Sequence, residues 1–127
     1  MANEITFQVR MTLANGNVTD SYSSGSLSAD QSETARLVRN TQPITTSAVQ
    51  LDSGNVETPG MALFSNLSET DTDYVEIGNY TGGVFYPLLK VLYGEQQLCR
   101  IGIPVTQLYA KSNNALGVLL FYILYNE

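Results

Sequence analysis

The chain opens on an alternation. From Ile5 to Leu13, "ITFQVRMTL", the apolar residues Ile5, Phe7, Val9, Met11 and Leu13 share one parity, and Thr6, Gln8, Arg10 and Thr12 share the other. A period of two predicts a half-buried strand. "ANGNV" follows, and Asn15-Gly16 tolerates positive φ, which predicts a tight hairpin into a second strand from about Val18 to Ser23. From Ser24 to Gln50 short apolar pairs replace any stripe. Ser32 to Arg39 has the length of a helical turn, but the Thr-rich composition and flanking Gly and Pro favour strand and loop. "DSGNVETPG" is turn chemistry, punctuated by Gly54, Pro59 and Gly60, and "MALFSNL" reads as a short buried strand.

The second half repeats this rhythm. "YVEIGN" alternates, Gly82-Gly83 makes a turn, and a strand runs from about Val84 to Tyr93. Pro87 interrupts it and marks an edge, a bulge or the start of pairing, because proline cannot donate to a ladder. A Gly94-Glu95 turn, a strand through Ile101, the short strand "LYAKS" and the turn "NNALG" lead to the closing segment. Nine or ten short strands with closely spaced turns, and no convincing helix, predict an all-β chain. The expected architecture is a single-domain antiparallel β-sandwich, jelly-roll-like, over residues 1–127, a length that buries a core without metal or disulfide support.

The closing segment, "GVLLFYILYNE", carries eight consecutive apolar or aromatic residues from Val118 to Tyr125. As a helix these would rise only about 12 Å against roughly 30 Å of hydrocarbon, so they do not span a membrane. As a strand they have two apolar faces. Val118, Leu120, Tyr122 and Leu124 are expected in the core; Leu119, Phe121, Ile123 and Tyr125 then face outward, as a subunit contact does.

Charge narrows the partners. Twelve acidic against six basic residues give a formal charge of -6, which repels phosphate backbones and anionic lipid, so neither nucleic acid nor membrane is an expected partner. "MANEITFQV" has neither a basic n-region nor a long apolar h-region, so no secretory signal is expected, and the Asn-x-Ser/Thr triplets at Asn17, Asn66 and Asn79 read as coincidence. Cys99 is the only cysteine, expected as a buried thiol.

Reactive groups are few. The absence of histidine removes Ser-His-Asp and Cys-His catalysis and the usual zinc sets. Gly82-Gly83 precedes a strand, unlike a phosphate-binding loop. Within "SETDTDYVE", Glu69, Asp71, Asp73 and Glu76 lie close enough in sequence to offer oxygens to Ca²⁺, yet no glycine stands at the required bend; a solvated acidic loop is the plainer reading. A glycosidase needs two carboxylates across a cleft, and this short chain has no Trp to stack a sugar. Eight tyrosines fit strand surfaces or a subunit contact better than a sugar face. No catalytic residue, cofactor or metal is therefore expected.

"YVEIGNYTGGVFYPLLKVLYGEQQLCR" resembles small all-β virion structural proteins of tailed bacteriophages, and "DSGNVETPGMALFSNL" before it, "LYAKSNNA" after it and the apolar closing strand agree in order and spacing. The resemblance covers Leu51 onward together with the first alternating strand; Ser24 to Gln50 has no counterpart. It implies a non-enzymatic capsid decoration or cement protein, a homotrimer on the virion surface whose partner is the major capsid protein. A tail- or fibre-associated protein, or a receptor- or carbohydrate-binding module, is the alternative. For the capsid contact the positions Ala2, Asn3, Ser24, Ser26 and Ser28, in polar segments without a core pattern, are the candidates.

Overall fold

The computed structural model describes residues 4–31, 36–101 and 107–126. The chain divides into two compact units, Met1–Glu33 and Thr34–Glu127.

In the first unit, β1 (Ile5–Phe7) pairs with β4 (Leu27–Ala29), and β2 (Arg10–Asn15) with β3 (Val18–Ser23), both antiparallel. Asn15 pairs with Val18, so the turn is the two residues Gly16 and Asn17, and Gly16 takes φ 60°. The alternation at Ile5–Leu13 is therefore strand, as expected, but broken at Gln8 and Val9. There the Val9 carbonyl accepts from the Ser24 amide, and the Ser24 hydroxyl accepts from the Val9 amide, each at 2.9 Å. The expected half-burial is not found: every residue of β2 and β3 is exposed. A two-stranded ribbon has no second layer to cover either face.

The second unit holds two four-stranded antiparallel sheets. One has the order β10 (Gln96–Arg100), β7 (Pro59–Asn66), β12 (Val118–Asn126), β5 (Leu37–Ile44); the other has the order β6 (Val49–Gln50), β11 (Tyr109–Ser112), β8 (Tyr74–Thr81), β9 (Val84–Leu92). From β5 to β12 the chain changes sheet at every step except the β8–β9 hairpin. A single buried cluster joins Ile44, Ala62, Phe64, Val118, Leu120, Tyr122 and Leu124 of the first sheet to Val75, Ile77, Val91 and Ala110 of the second. This unit is accordingly a β-sandwich. The segment Ser24 to Gln50, patternless in sequence, contributes β4, β5 and β6, and Arg36 to Arg39 enters a strand, not a helical turn.

The strand prolines among the described residues lie where a missing donor is tolerated: Pro59 is the first residue of β7, and the other two are on edge strands. Pro43 is on β5 and Pro87 on β9, each at a sheet edge, and Pro87 faces Gly78 beside a register shift between Ile77 and Gly78. A Cβ at Gly78 would stand 2.1 Å from the Tyr86 carbonyl oxygen and 2.8 Å from Pro87 Cα, so the bulge requires the space that only glycine leaves. Replacing Gly78 by Ala is expected to cost more than about 2 kcal/mol, because backbone has to move. Urea unfolding measures this, and an unchanged midpoint would contradict the packing described for the bulge.

Candidate functional site

Strand β12 lies between β5 and β7, hydrogen-bonded on both edges. Val118, Leu120, Tyr122 and Leu124 are buried, whereas Leu119 is 51% exposed and Phe121, Ile123 and Tyr125 are half-buried. The even-numbered side chains form the core and the odd-numbered ones line the outer surface of the sheet, the parity expected from the sequence.

Register extends that outer surface across the sheet. Arg39, Ile123, Leu63 and Leu98 lie in one row over four strands; Leu37 is beside Tyr125, and Pro43 beside Leu119. Leu37 is 61% exposed and Leu98 40%. The charged side chains the register puts on this face are Arg39 and Arg100, both positive. Leu37, Leu63 and Leu98 escaped the sequence reading, although "MALFSNL" has the same two-sided apolar character as the closing strand. Such a run is the signature of a central strand in a sheet whose outer face also carries apolar side chains.

The second sheet presents a different outer surface. Tyr80 stacks on Tyr109 with ring centroids 5.0 Å apart. Lys90 Nζ lies 4.1 Å from the centroid of Tyr74, and Lys111 Nζ 5.8 Å from that of Phe85. Glu76 stands in register between Lys111 and Lys90. Four aromatic rings, two ammonium groups and a carboxylate thus share one face. The Tyr80–Tyr109 pair crosses from β8 to β11 and leaves no local trace in the sequence.

The acidic turn is structural. Asp73 is buried, accepts from the Ser68 hydroxyl at 2.7 Å, and has the Asn114 side-chain amide 3.4 Å from both its oxygens. The Asn113 side chain bridges the same turn, donating to the Thr72 carbonyl at 2.6 Å and accepting from the Tyr74 amide at 2.9 Å. Among the described residues no three His, Cys, Asp or Glu side chains come together as metal ligands. Asn66, one of the Asn-x-Ser/Thr positions, is buried and donates to the Val91 carbonyl.

Of the residues expected to touch a capsid, Ala2 and Asn3 lie outside the described residues. Ser24 is engaged in the ribbon through Val9, and its hydroxyl donates to the Gly25 carbonyl. Ser26 and Ser28 are exposed, Ser28 on β4. Cys99 is half-buried, less enclosed than expected, and burial pushes its thiol up.

Tyr122 spans the core to a polar seam. Its hydroxyl donates to the Asp52 carbonyl at 2.6 Å, accepts from the Asn40 side-chain amide at 3.1 Å, and lies 3.2 Å from Gln42 Oε1. Gln42 in turn accepts from the Asp52 amide and donates to the Gln50 carbonyl. Burial pushes the Tyr122 phenol up.

Compared with protein-family models, curated proteins and solved structures, the chain matches none.

Replacing Tyr122 by Phe removes the hydroxyl's part-buried hydrogen bonds to Asn40, Gln42 and the Asp52 carbonyl and is expected to cost about 1 kcal/mol at pH 7. Because Tyr122 and Cys99 hold their protons more firmly folded than unfolded, their contribution is complete below the unfolded values and is lost as pH rises through about 9–10 and beyond. Tyr122→Phe should therefore flatten the alkaline fall in stability. Urea midpoints at pH 7 and pH 10.5 check both effects, and a variant with the wild-type profile would refute the role of the seam.

Proposed function

We propose that this protein is a virion structural protein of the tailed-bacteriophage type, a decoration or cement protein. It assembles as a homotrimer through the outer face of the β5–β12–β7–β10 sheet and binds the major capsid protein on the virion surface. The observation that carries the assembly role is the odd-numbered face of β12, apolar along its whole length and continued by Leu37, Leu63 and Leu98. Contiguous exposed apolar patches mark interaction sites, and interfaces between identical subunits are more apolar than the rest of the surface.

Two further observations support the reading. The order of the eight strands in the second unit, β5-β12-β7-β10 against β6-β11-β8-β9, fits two interleaved Greek keys and favours a jelly roll. The segments that carry the sequence resemblance form β7 to β12, the greater part of both sheets.

Cementing is mass action. A protein that binds the closed shell and not loose subunits stabilises the shell by its binding free energy. Modest contacts suffice when a trimer engages several capsid subunits at once, because linked sites raise the effective concentration. Ser24, Ser26 and Ser28, in the first unit, are the described candidates for that contact.

The outward aromatic face of β8, β9 and β11 favours one other reading, a saccharide-binding module on a tail or fibre. Stacked rings beside Lys and Glu side chains match the apolar faces and hydroxyls of a sugar.

The cement reading predicts many copies per particle and fragile capsids without the protein; copy number by stained gel or electron microscopy checks it, and a few copies confined to the tail would refute it. Replacing Leu119 and Phe121 together by Ser should yield folded monomers by sedimentation, and a surviving trimer would count against the interface. Should the aromatic face bind sugar, Tyr109→Ala would abolish glycan-array binding that Leu119→Ser retains.

A further inference from the structure

The first unit poses a problem that the proposed assembly can resolve. It is one antiparallel ribbon, and its register puts Met11 opposite Tyr22, with Leu13 and Val18 on the same face because alternate residues share a side. Met11 is 71% exposed and Tyr22 58%. An isolated two-stranded hairpin is marginal in water, and this one displays its largest apolar side chains to solvent. The apolar face needs a second layer.

Charge and size indicate what provides it. Among residues 1–33 four carboxylates, Glu4, Asp20, Asp30 and Glu33, stand against one guanidinium, Arg10, and Asp20 lies on the apolar face itself. The outer face of the β5–β12–β7–β10 sheet is apolar along β12 and at Leu37, Leu63 and Leu98, has Thr41, Ser65 and Gln96 among its polar positions, carries Arg39 and Arg100, and has no carboxylate placed on it by the register. The six-residue strands of the ribbon extend about 20 Å, while the sheet is roughly 19 Å wide and β12 about 30 Å long. The ribbon fits within that face.

We propose that the hairpin of one copy lies with its Met11, Leu13, Val18 and Tyr22 face on the outer sheet face of a second copy. The inference rests on the proposed assembly through β12 and specifies what covers that face. Donor and acceptor are different surfaces, so the contact closes either as a reciprocal two-fold pair or as a ring, and the proposed trimer is the ring. Each copy then both gives and receives a hairpin.

The test uses the full chain with Cys99 replaced by Ala. Leu13→Cys and Leu119→Cys variants, carrying different tags, are co-expressed and oxidised, and the products are resolved on a non-reducing gel. A disulfide-linked heterodimer of the two tags is expected. Its absence would overturn the proposal, as would closure of the Leu13→Cys/Leu119→Cys double variant as a monomer only, or cross-linking of Leu13→Cys to itself alone. Sedimentation separates this proposal from the reading beneath it. Met11→Ser/Tyr22→Ser and Phe121→Ser, each retaining the wild-type β-sheet circular dichroism, are both expected to be monomeric. If only Phe121→Ser is monomeric, assembly through β12 stands and the hairpin contact is refuted; if Phe121→Ser remains oligomeric, both are refuted.

Discussion

Strand β12 has apolar side chains on both faces and a hydrogen-bonded neighbour on each edge, and the rest of the second unit is arranged around satisfying it. One face, Val118, Leu120, Tyr122 and Leu124, supplies a large share of the sandwich core, at roughly 1.5–3 kcal/mol for each buried side chain before conformational entropy is counted. The other face cannot be buried by the same two layers. That residual apolar surface is the physical reason for reading the protein as a component of an assembly.

Closing the sandwich around such a strand requires polar devices at its margins. The buried Tyr122 side chain finds partners for its hydroxyl in Asn40, Gln42 and the Asp52 carbonyl, which thereby tie the edge strand β5 to the segment that follows β6. At the other end of the strand, the Ser112 hydroxyl donates to the Ile44 carbonyl, and Asn113 and Asn114 pin the acidic turn through Thr72 and Asp73. Asp73, one of the carboxylates that suggest a cation site in the sequence, is thus itself a turn anchor. Gly78 and Pro87 form the corresponding device in the second sheet, a bulge on an edge strand.

Period and punctuation made most strands legible. The closing run disclosed its two faces, because a side-chain period of two divides it into even and odd residues, and the even face was the expected core because the polar tip of Tyr122 could end at the rim; in the structure that tip meets Asn40, Gln42 and the Asp52 carbonyl. Pro87 announced an edge or bulge and occupies both. The strand β5 was hidden: Leu37, Arg39, Thr41 and Pro43 are a mixed outward face, and Asn40 and Gln42 put polar side chains inward, so no alternation of apolar and polar survives. The exposure of Met11, Leu13 and Tyr22 was also illegible, since alternation says which residues share a face but not whether another layer exists to cover it. The Tyr80–Tyr109 stack and the row Arg39–Ile123–Leu63–Leu98 arise from pairing between distant segments, which local pattern does not encode.

In the proposed assembly the outer face of β12 is covered by another copy of the chain. Sedimentation equilibrium of the unmodified protein at micromolar concentration tests it most directly. A mass that is a multiple of the 13.9 kDa chain is expected, three-fold for the trimer. A single species at the mass of one chain across that range would contradict it.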